Sequence, residues 1–457
     1  MPTSSRQTAW RSGRLAGLLP LAVLITSLLL GCATGHPMMP TPALYEGPEG
    51  RPLFTALPAE RRTPPLDLLF VTDRAPATSP KEALPYTAER ARAMAFGSTT
   101  IEFGKDVSWD TLVRESSVAK RKTRVALELG PTEELGRFPR IPYEITATAG
   151  GISRAPAVVA AHEQATRALQ AEVARRLAVA PRKEVVLYVH GYHNTFEDAA
   201  LTMGELCHFL GREFVCSIFT WPAGGSRGIL FGYNVDYESS VFAAEHLRKA
   251  IRAISETAGL ERIHLLAHSR GTGVLATALA DLSVEAYMLG SNLAPQFKIG
   301  NVVLMAPDID ADVAPTTIFK VLSDPELPYG KTPRPGLVVK PSPHFRLTVY
   351  ASPDDKALAT SSWLFGSVAR FGQIEVRMLS PHVIEQIRKL GLLDVIQVRG
   401  TTDFFGHGYF VSNPRVSSDI IAMLRYRLKP NEPGRPLVEI DRPFWRVRTA
   451  KETRAGE

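Results

Sequence analysis

Cysteine is scarce in this sequence of 457 residues, which contains only three. One of them, Cys32, belongs to an N-terminal leader, and a thiolate metal site is not expected from the other two, Cys207 and Cys216. These two could pair as a disulfide in an oxidising compartment, or they could be two separately buried small side chains. Their spacing does not decide between these alternatives.

Charge of one sign and long apolar runs are also limited. The formal net charge of +7 falls to +4 once Arg6, Arg11 and Arg14 of the leader are set aside. This excess is too weak to indicate nucleic-acid binding. No internal repeat is evident, and no second apolar run long enough to span a bilayer follows the leader. The remaining composition, 45% hydrophobic and 22% charged, is that of an ordinary globular protein with enough apolar material for a large core.

The N-terminus has the pattern of a lipoprotein signal peptide. A positively charged start precedes an apolar run over residues 15–30, which ends in Leu29-Leu30-Gly31-Cys32-Ala33. The thiolate of such a cysteine accepts a diacylglyceryl group, and small neighbours let the peptidase close on the bond. The segment resembles the leader of a bacterial lipoprotein, which implies lipid anchoring at Cys32 in the cell envelope. Ala33 implies the outer membrane, facing the periplasm. A transmembrane anchor or a signal cut elsewhere is the alternative.

The middle of the chain predicts an α/β fold. Short β-like segments near residues 98–103, 124–129 and 143–148 predict an antiparallel N-terminal edge. From about Ala155 onward, helical patterns alternate with short apolar strands, which favours a mostly parallel sheet with helices on both faces. We expect a signal peptide over 1–31, a proline-rich tether over 32–65, one domain over 66–428 and a C-terminal tail over 429–457. Insertions at 308–344 and 363–391 are expected to form a cap or lid.

One stretch predicts a nucleophile elbow. A mostly apolar run over 263–267, interrupted by His264, is followed by His268 and Ser269, and apolar positions at helical spacing follow from Val274. Strand, sharp turn and helix in this order place a serine in a strained conformation, which leaves room only for small side chains two positions away on either side. Ala267 and Gly271 occupy those positions, so Ser269 is the candidate nucleophile. The alternative is a serine that only caps the helix.

A serine hydroxyl needs a base, and the base needs an anionic partner. In enzymes that use such an elbow, the acid follows the serine along the chain and the histidine comes last. Asp355, in the turn after a predicted strand, is the first candidate for the acid, with Asp354 as the fallback and Asp308 or Asp310 as rivals. His407 lies between two glycines after the last predicted strand and is the candidate base.

Two backbone N–H groups are expected to stabilise the charge that develops on a carbonyl oxygen. One belongs to Arg270, the residue after the candidate nucleophile. The other belongs to Tyr192, which follows a His190-Gly191 turn at the end of an early apolar strand. A tight connection between strand and helix would have the same sequence, and both interpretations can hold together.

Seven motifs lie between about residues 66 and 428. They are Val71-Thr72-Asp73-Arg74, His190-Gly191-Tyr192 with Asn194, Trp221-Pro222 with Tyr233 and Asp236, Ala267-His268-Ser269-Arg270-Gly271, Ala306-Pro307-Asp308-Ile309-Asp310, Ser352 to Leu358, and Gly406-His407-Gly408. Together these motifs resemble the bacterial esterase/lipase-like α/β-hydrolase family of unknown function. His193 stands where we expect an asparagine.

The resemblance implies an α/β-hydrolase fold and a serine hydrolase with these residue roles. Together with the leader, it predicts a membrane-anchored enzyme that cleaves carboxylic esters, lipid esters among them, through an acyl-enzyme. No cofactor, metal or nucleic-acid partner is expected. Two alternatives stay open: an inert envelope lipoprotein that uses the fold as a binding scaffold, and an acyltransferase with the same residues.

We expect metabolic labelling with a fatty-acid analogue to modify the full-length chain and to be lost in Cys32→Ser, because the thiol is the acceptor. Gel fluorescence after coupling measures the label. Equal labelling of both proteins would contradict the prediction.

Overall fold

The computed structural model describes residues 35–79, 82–225, 229–324, 342, 344–365, 369–400, 406–449 and 452. The predicted signal peptide with Cys32, residues 325–341 and 343 of the first predicted insertion, residues 366–368 of the second and residues 401–405 before the candidate base lie outside this part of the chain.

A twelve-stranded sheet forms the centre of the fold, in the order β1-β4-β3-β2-β8-β7-β9-β10-β11-β12-β14-β13. The strands from β2 to β14 in this order are parallel, and antiparallel strands complete both edges. The strands are β1 His36–Pro37, β2 Leu66–Pro76, β3 Tyr86–Phe103, β4 Ala126–Arg137, β5 Ile145–Thr148, β6 Gly151–Arg154, β7 Glu184–Val189, β8 Val215–Thr220, β9 Arg262–His268, β10 Ile299–Met305, β11 Arg346–Ala351, β12 Leu393–Gln397, β13 Leu437–Asp441 and β14 Phe444–Val447.

Helices cover the sheet and link its strands. Short 3₁₀ turns occupy Ala43–Tyr45, Ala59–Arg61, Phe371–Gln373 and Val376–Met378. The described α-helices are α1 Trp109–Glu115, α2 Pro156–Val179, α3 Phe196–Phe209, α4 Ile229–Ser255, α5 Gly271–Met288, α6 Leu293–Gln296, α7 Val313–Ile318, α8 Lys320–Ser323, α9 Lys356–Phe365, α10 Pro381–Leu390, α11 Tyr409–Ser412 and α12 Pro414–Leu424.

The unbroken apolar strands are explained by burial on both faces. All six residues of β7 are buried. Val185, Leu187 and Val189 face one hydrophobic core, which includes residues of α2, α4 and α5, while Val186 and Tyr188 face a second core, which includes residues of α3 and α12. Successive side chains of a strand point to opposite faces, so a strand covered on both sides is apolar except where a buried charge is paired, as Glu184 is with Arg262 and His264. The predicted mostly parallel sheet with helices on both faces is confirmed.

Two segments differ from their predictions. The segment expected near 143–148 does not join the main sheet, because β5 pairs only with β6 in a separate hairpin. The predicted tail contributes β13 and β14 to the sheet, with Phe444 and Trp445 buried. The Trp445 indole N–H donates to Asp394 Oδ1 over 3.1 Å. A hydrogen-bonded, buried tryptophan fixes this segment to the core.

The prediction of a tether does not fit residues 36–57. β1 pairs with β4, and Tyr45 is only 1% exposed. The Tyr45 hydroxyl donates to the Phe209 carbonyl and accepts from Arg425, each over 2.8 Å. The prolines limit the backbone, but apolar side chains between them provide surface to bury, so the segment packs on the domain. Its other buried apolar residues are Met38, Met39, Leu53, Phe54 and Leu57.

The structure pairs Cys207 of α3 with Cys216 of β8 as a disulfide, with 6.1 Å between the two Cα atoms. The sequence had left this pairing open. None of the described helices combines the length and apolarity needed to cross a membrane.

We predict that Tyr45→Ala lowers the free energy of unfolding by about 3–5 kcal/mol, as truncation of a buried aromatic side chain does. Urea denaturation of the full chain measures the change. Glu49→Ala, on an exposed residue of the same segment, is the control and should stay within about 0.5 kcal/mol of the parent. Equal stability of the two variants would contradict this packing and support the prediction of a tether.

Candidate active site

The candidate catalytic residues follow strands whose carboxyl ends meet at one edge of the sheet. Tyr192 follows β7, Ser269 follows β9, Asp355 follows β11 and His407 follows β12. These strands run parallel within one continuous part of the sheet. Loops after parallel strands come together at the same edge, which is where α/β proteins form their sites.

Ser269 lies in the turn between β9 and α5 with a φ of 53°, and it is 6% exposed. This left-handed conformation costs a residue with a side chain roughly 1–2 kcal/mol. The surroundings hold it there, since the Ser269 N–H donates to the Met305 carbonyl over 3.0 Å. A Cβ on Gly271 would lie 2.2 Å from the His190 carbonyl oxygen, so glycine is required there. Ala267 is accommodated with its methyl fully buried.

The turn after β7 packs directly against this elbow. A Cβ on Gly191 would lie 2.8 Å from the Cβ of Ser269, and the Gly191 N–H donates to Asn194 Oδ1 over 3.1 Å. His193 has a φ of 60°. Asparagine and histidine enter this conformation more readily than most residues, which explains why histidine can stand where asparagine was expected. Tyr192 lies between these two fixed positions.

His190 is a structural residue of this turn. Its Nδ1–H donates to the Gly191 carbonyl over 2.9 Å, and its Nε2 accepts the backbone N–H of Trp221 over 3.0 Å. The Trp221 indole stacks on the imidazole and donates to the His190 carbonyl over 2.9 Å. Burial, with the positive charge of Arg74, holds the pKa of His190 well below its ordinary value. The ring is therefore neutral and orients the turn.

Arg74, at the end of β2, joins the loops that follow β7 and β8. Its buried guanidinium donates to Thr220 Oγ1 over 2.7 Å, to the Ala223 carbonyl over 2.9 Å and to the Asn194 carbonyl over 2.6 Å. Burial lowers the pKa of Arg74 to about 10, so the group still carries its charge at neutral pH. Its five N–H groups suit a site where several carbonyls converge.

Asp236 of α4 holds the same two loops by their amides. Its Oδ2 accepts the N–H of His193 over 3.2 Å and that of Gly224 over 3.3 Å. Burial raises the pKa of Asp236, and the two amide hydrogen bonds oppose that rise. A carboxylate between two backbone donors fixes the loop that carries Tyr192.

Asp355 is the carboxylate that contacts the candidate base. His407 Nδ1 lies 2.7 Å from Asp355 Oδ2, and Asp355 Oδ1 accepts the N–H of Leu358 over 3.0 Å. Asp355 is 1% exposed, whereas His407 keeps part of its ring accessible. A buried carboxylate at Nδ1 fixes the imidazole tautomer and leaves Nε2 for chemistry.

Asp308 has other partners. Its Oδ1 accepts from the Ser361 hydroxyl over 2.7 Å and lies 3.3 Å from Arg370 Nε, and its Oδ2 lies 3.7 Å from Arg270 Nε. It therefore links the start of α5 to α9, the helix after the acid loop.

Asp354 and Asp310 also engage elsewhere. Asp354 Oδ1 lies 3.6 Å from an Arg399 nitrogen, and Asp310 Oδ1 accepts the N–H of Asp312 over 2.9 Å. Of the four aspartates that the sequence offered, the structure brings Asp355 to His407.

His268, the residue before Ser269, touches the candidate base. Its Nε2 lies 3.2 Å from the His407 carbonyl, and its ring lies 4.7 Å from the rings of both His407 and Phe410. Burial, with the charge of His407, holds the pKa of His268 well below its ordinary value.

The comparison with protein families agrees with this geometry. Residues 165–427, more than half of the chain, match the family model described as "Alpha/beta hydrolase of unknown function (DUF900)". The chain belongs to this family. The α/β-hydrolase fold expected from the sequence is thereby confirmed.

Among solved structures, this member of the DUF900 family shows a distant likeness to several chains. An esterase from Pyrobaculum calidifontis is 12% identical with a TM-score of 0.27, over 53% of this chain and 76% of that one. A predicted CIB-like hydrolase from Thermoplasma acidophilum has the same identity and TM-score, over 53% and 86%. The fold is shown by the family match. No curated protein matches the chain.

The sequence analysis gave no role to Arg74, Asp236 or His268. Arg74 was recognisable as a charged residue at the end of a buried strand, whereas the contacts of Asp236 and His268 are with distant loops. Among the described residues, no three His, Cys, Asp or Glu side chains converge as metal ligands do.

We predict that Asp355→Asn slows labelling of Ser269 by a fluorophosphonate probe about 10⁴-fold, because His407 loses the partner that fixes its tautomer. Mass spectrometry of the labelled peptide over time measures the rate. Asp354→Asn, on the adjacent carboxylate, should label like the parent. A slow Asp354→Asn and a normal Asp355→Asn would reverse the choice of acid.

Proposed function

We propose that this chain is a serine hydrolase that cleaves carboxylic esters through an acyl-enzyme. The observation that carries the proposal is the 2.7 Å contact between His407 Nδ1 and Asp355 at the sheet edge that holds the left-handed Ser269. The strained serine, the oriented base and the buried acid are the parts that nucleophilic catalysis by a hydroxyl requires.

In the first half-reaction, His407 Nε2 removes the proton of Ser269 Oγ as the oxygen attacks the ester carbonyl. The tetrahedral intermediate collapses when the imidazolium returns this proton to the leaving alkoxide. The acyl group then remains on Ser269.

In the second half-reaction, His407 removes a proton from water as the water oxygen attacks the acyl carbonyl. The second tetrahedral intermediate collapses when the imidazolium returns this proton to Ser269 Oγ, which breaks the bond to the acyl group and releases the acid. The Asp355 carboxylate stabilises the imidazolium in both halves. Loss of the Asp355 charge would therefore raise the energy of the imidazolium in the transition states of both halves.

The backbone N–H groups of Tyr192 and Arg270 stabilise the oxyanion of each intermediate. The fixed turn around Tyr192 supports this role, because Asp236 holds the next amide and Gly191 packs against Ser269. Donors fixed before the reaction need no reorganisation as charge develops.

We further propose that the enzyme is a lipoprotein of the bacterial envelope, anchored through Cys32 at the outer membrane and facing the periplasm. The leader pattern supports this location. The Cys207–Cys216 disulfide also supports it, because such bonds persist in oxidising compartments.

We expect the full-length chain to hydrolyse p-nitrophenyl esters and Ser269→Ala to lower kcat/KM roughly 10⁶-fold, in practice to the background rate. Absorbance of the released p-nitrophenol measures the reaction, and Ser291→Ala is the control for the same substitution elsewhere. A Ser269→Ala protein as active as the parent would end the proposal.

A fluorophosphonate probe and an analysis of the acyl products separate the alternatives. A folded parent that neither hydrolyses any of the esters nor reacts with a fluorophosphonate would favour the scaffold. Acylated acceptor in place of free acid would identify an acyltransferase.

A further inference from the structure

The candidate base lies in a segment whose own backbone does little to fix it. His407 has glycine on both sides, and Gly406 has a φ of 68°. Glycine is the most permissive residue in backbone conformation, so the segment depends on contacts with other elements for its shape. The orientation of the imidazole must therefore come from the groups that touch it.

The base is held from two sides. At the ring, Asp355 contacts Nδ1 over 2.7 Å. At the backbone, the His268 ring nitrogen Nε2 lies 3.2 Å from the His407 carbonyl oxygen. A carbonyl oxygen can only accept, so His268 carries its proton on Nε2 and donates it here.

Ring packing adds to this hydrogen bond. The His268 ring contacts the His407 and Phe410 rings, each over 4.7 Å between centroids. His268 Nδ1 points to the turn after β7, where it would lie 3.1 Å from a Cβ on Gly191. The His268 ring therefore fills the space between that turn and the segment that carries the base.

We propose that His268 is a positioning residue, which sets the place of His407 relative to Ser269 by donating from Nε2 to the His407 carbonyl. His268 and Ser269 are consecutive, so this hydrogen bond ties the base to the strand that presents the nucleophile. The inference rests on the proposed function, since it names the residue that aligns two of its catalytic groups.

Neutrality suits His268 to this task. Burial and the charge of His407 hold the pKa of His268 well below its ordinary value. When His407 gains a proton during the reaction, its neighbour stays neutral and does not repel it. The hydrogen bond thus persists through both protonation states of the base.

Three variants distinguish the effect of the His268 N–H donor from the effect of ring packing. In His268→Gln, the amide nitrogen stands as many bonds from the backbone as Nε2 does, so it can donate to the His407 carbonyl. In His268→Asn, the same amide is one carbon too short. In His268→Phe, a phenyl ring replaces the imidazole, so an aromatic ring is kept but the N–H donor is lost.

We expect kcat for p-nitrophenyl ester hydrolysis to fall about five- to tenfold in His268→Asn and His268→Phe, the factor that one neutral hydrogen bond corresponds to. KM should stay unchanged, because the contact does not touch substrate. His268→Gln should recover most of the loss. Circular dichroism melting checks that each variant is folded, and the Asn and Gln pair suffices if His268→Phe does not fold.

A second measurement does not need activity. The proton between His407 and Asp355 should give a downfield ¹H NMR resonance in the full-length chain, which is lost or broadened in His268→Asn and retained in His268→Gln. This signal tests the positioning role even if the parent hydrolyses no ester. The inference is overturned if Asn and Gln variants behave alike in this spectrum, or if folded, active Asn and Gln variants share one kcat.

Discussion

Two turns at the carboxyl edge of the sheet meet so closely that Gly191 in one and Gly271 in the other have no room for a Cβ. A Cβ on Gly271 would reach the His190 carbonyl at 2.2 Å, and one on Gly191 would reach the Ser269 Cβ at 2.8 Å. β7 and β9 are neighbouring parallel strands, so these turns are forced together by the sheet itself. The conformation of Ser269 and the place of Tyr192 depend on this contact, because each turn limits the movement of the other.

Buried charges hold the loops around that contact. Arg74 donates to backbone carbonyls of the loops after β7 and β8, and Asp236 accepts amides from the same loops. Removing an ion from water is costly unless its hydrogen-bonding capacity is used, and here loops with unpaired backbone groups use it. The site is therefore built from loops, but buried hydrogen bonds to their backbone groups fix these loops, as ladder hydrogen bonds fix strands.

Much of this arrangement was predictable because it repeats local patterns. The elbow has a spacing of small residues that sterics impose, and the order of serine, acid and histidine follows the strand order, so Asp355 and His407 could be named in advance. Asp354 and Asp308 could not be set aside by spacing, since only their partners distinguish them. The prediction of a tether was wrong because it relied on the proline content of the segment. The apolar residues between the prolines have no periodicity, so their burial could not be predicted from the pattern. Tyr45 becomes buried only through contacts with Phe209 and Arg425, far along the chain.

The candidate site contains features that lower the stability of the fold, and these features indicate what the site does. A left-handed serine costs roughly 1–2 kcal/mol, and the 1% exposed Asp355 carboxylate has given up nearly all of its hydration. A surface that only binds another molecule needs shape and hydrogen bonds, and neither requires a serine in a left-handed backbone conformation or an imidazole that a buried carboxylate orients. Nucleophilic catalysis requires both, because the hydroxyl must stand clear of its strand and the base must keep one tautomer. The features that destabilise this edge of the sheet are thus the ones that acyl transfer to a serine would use.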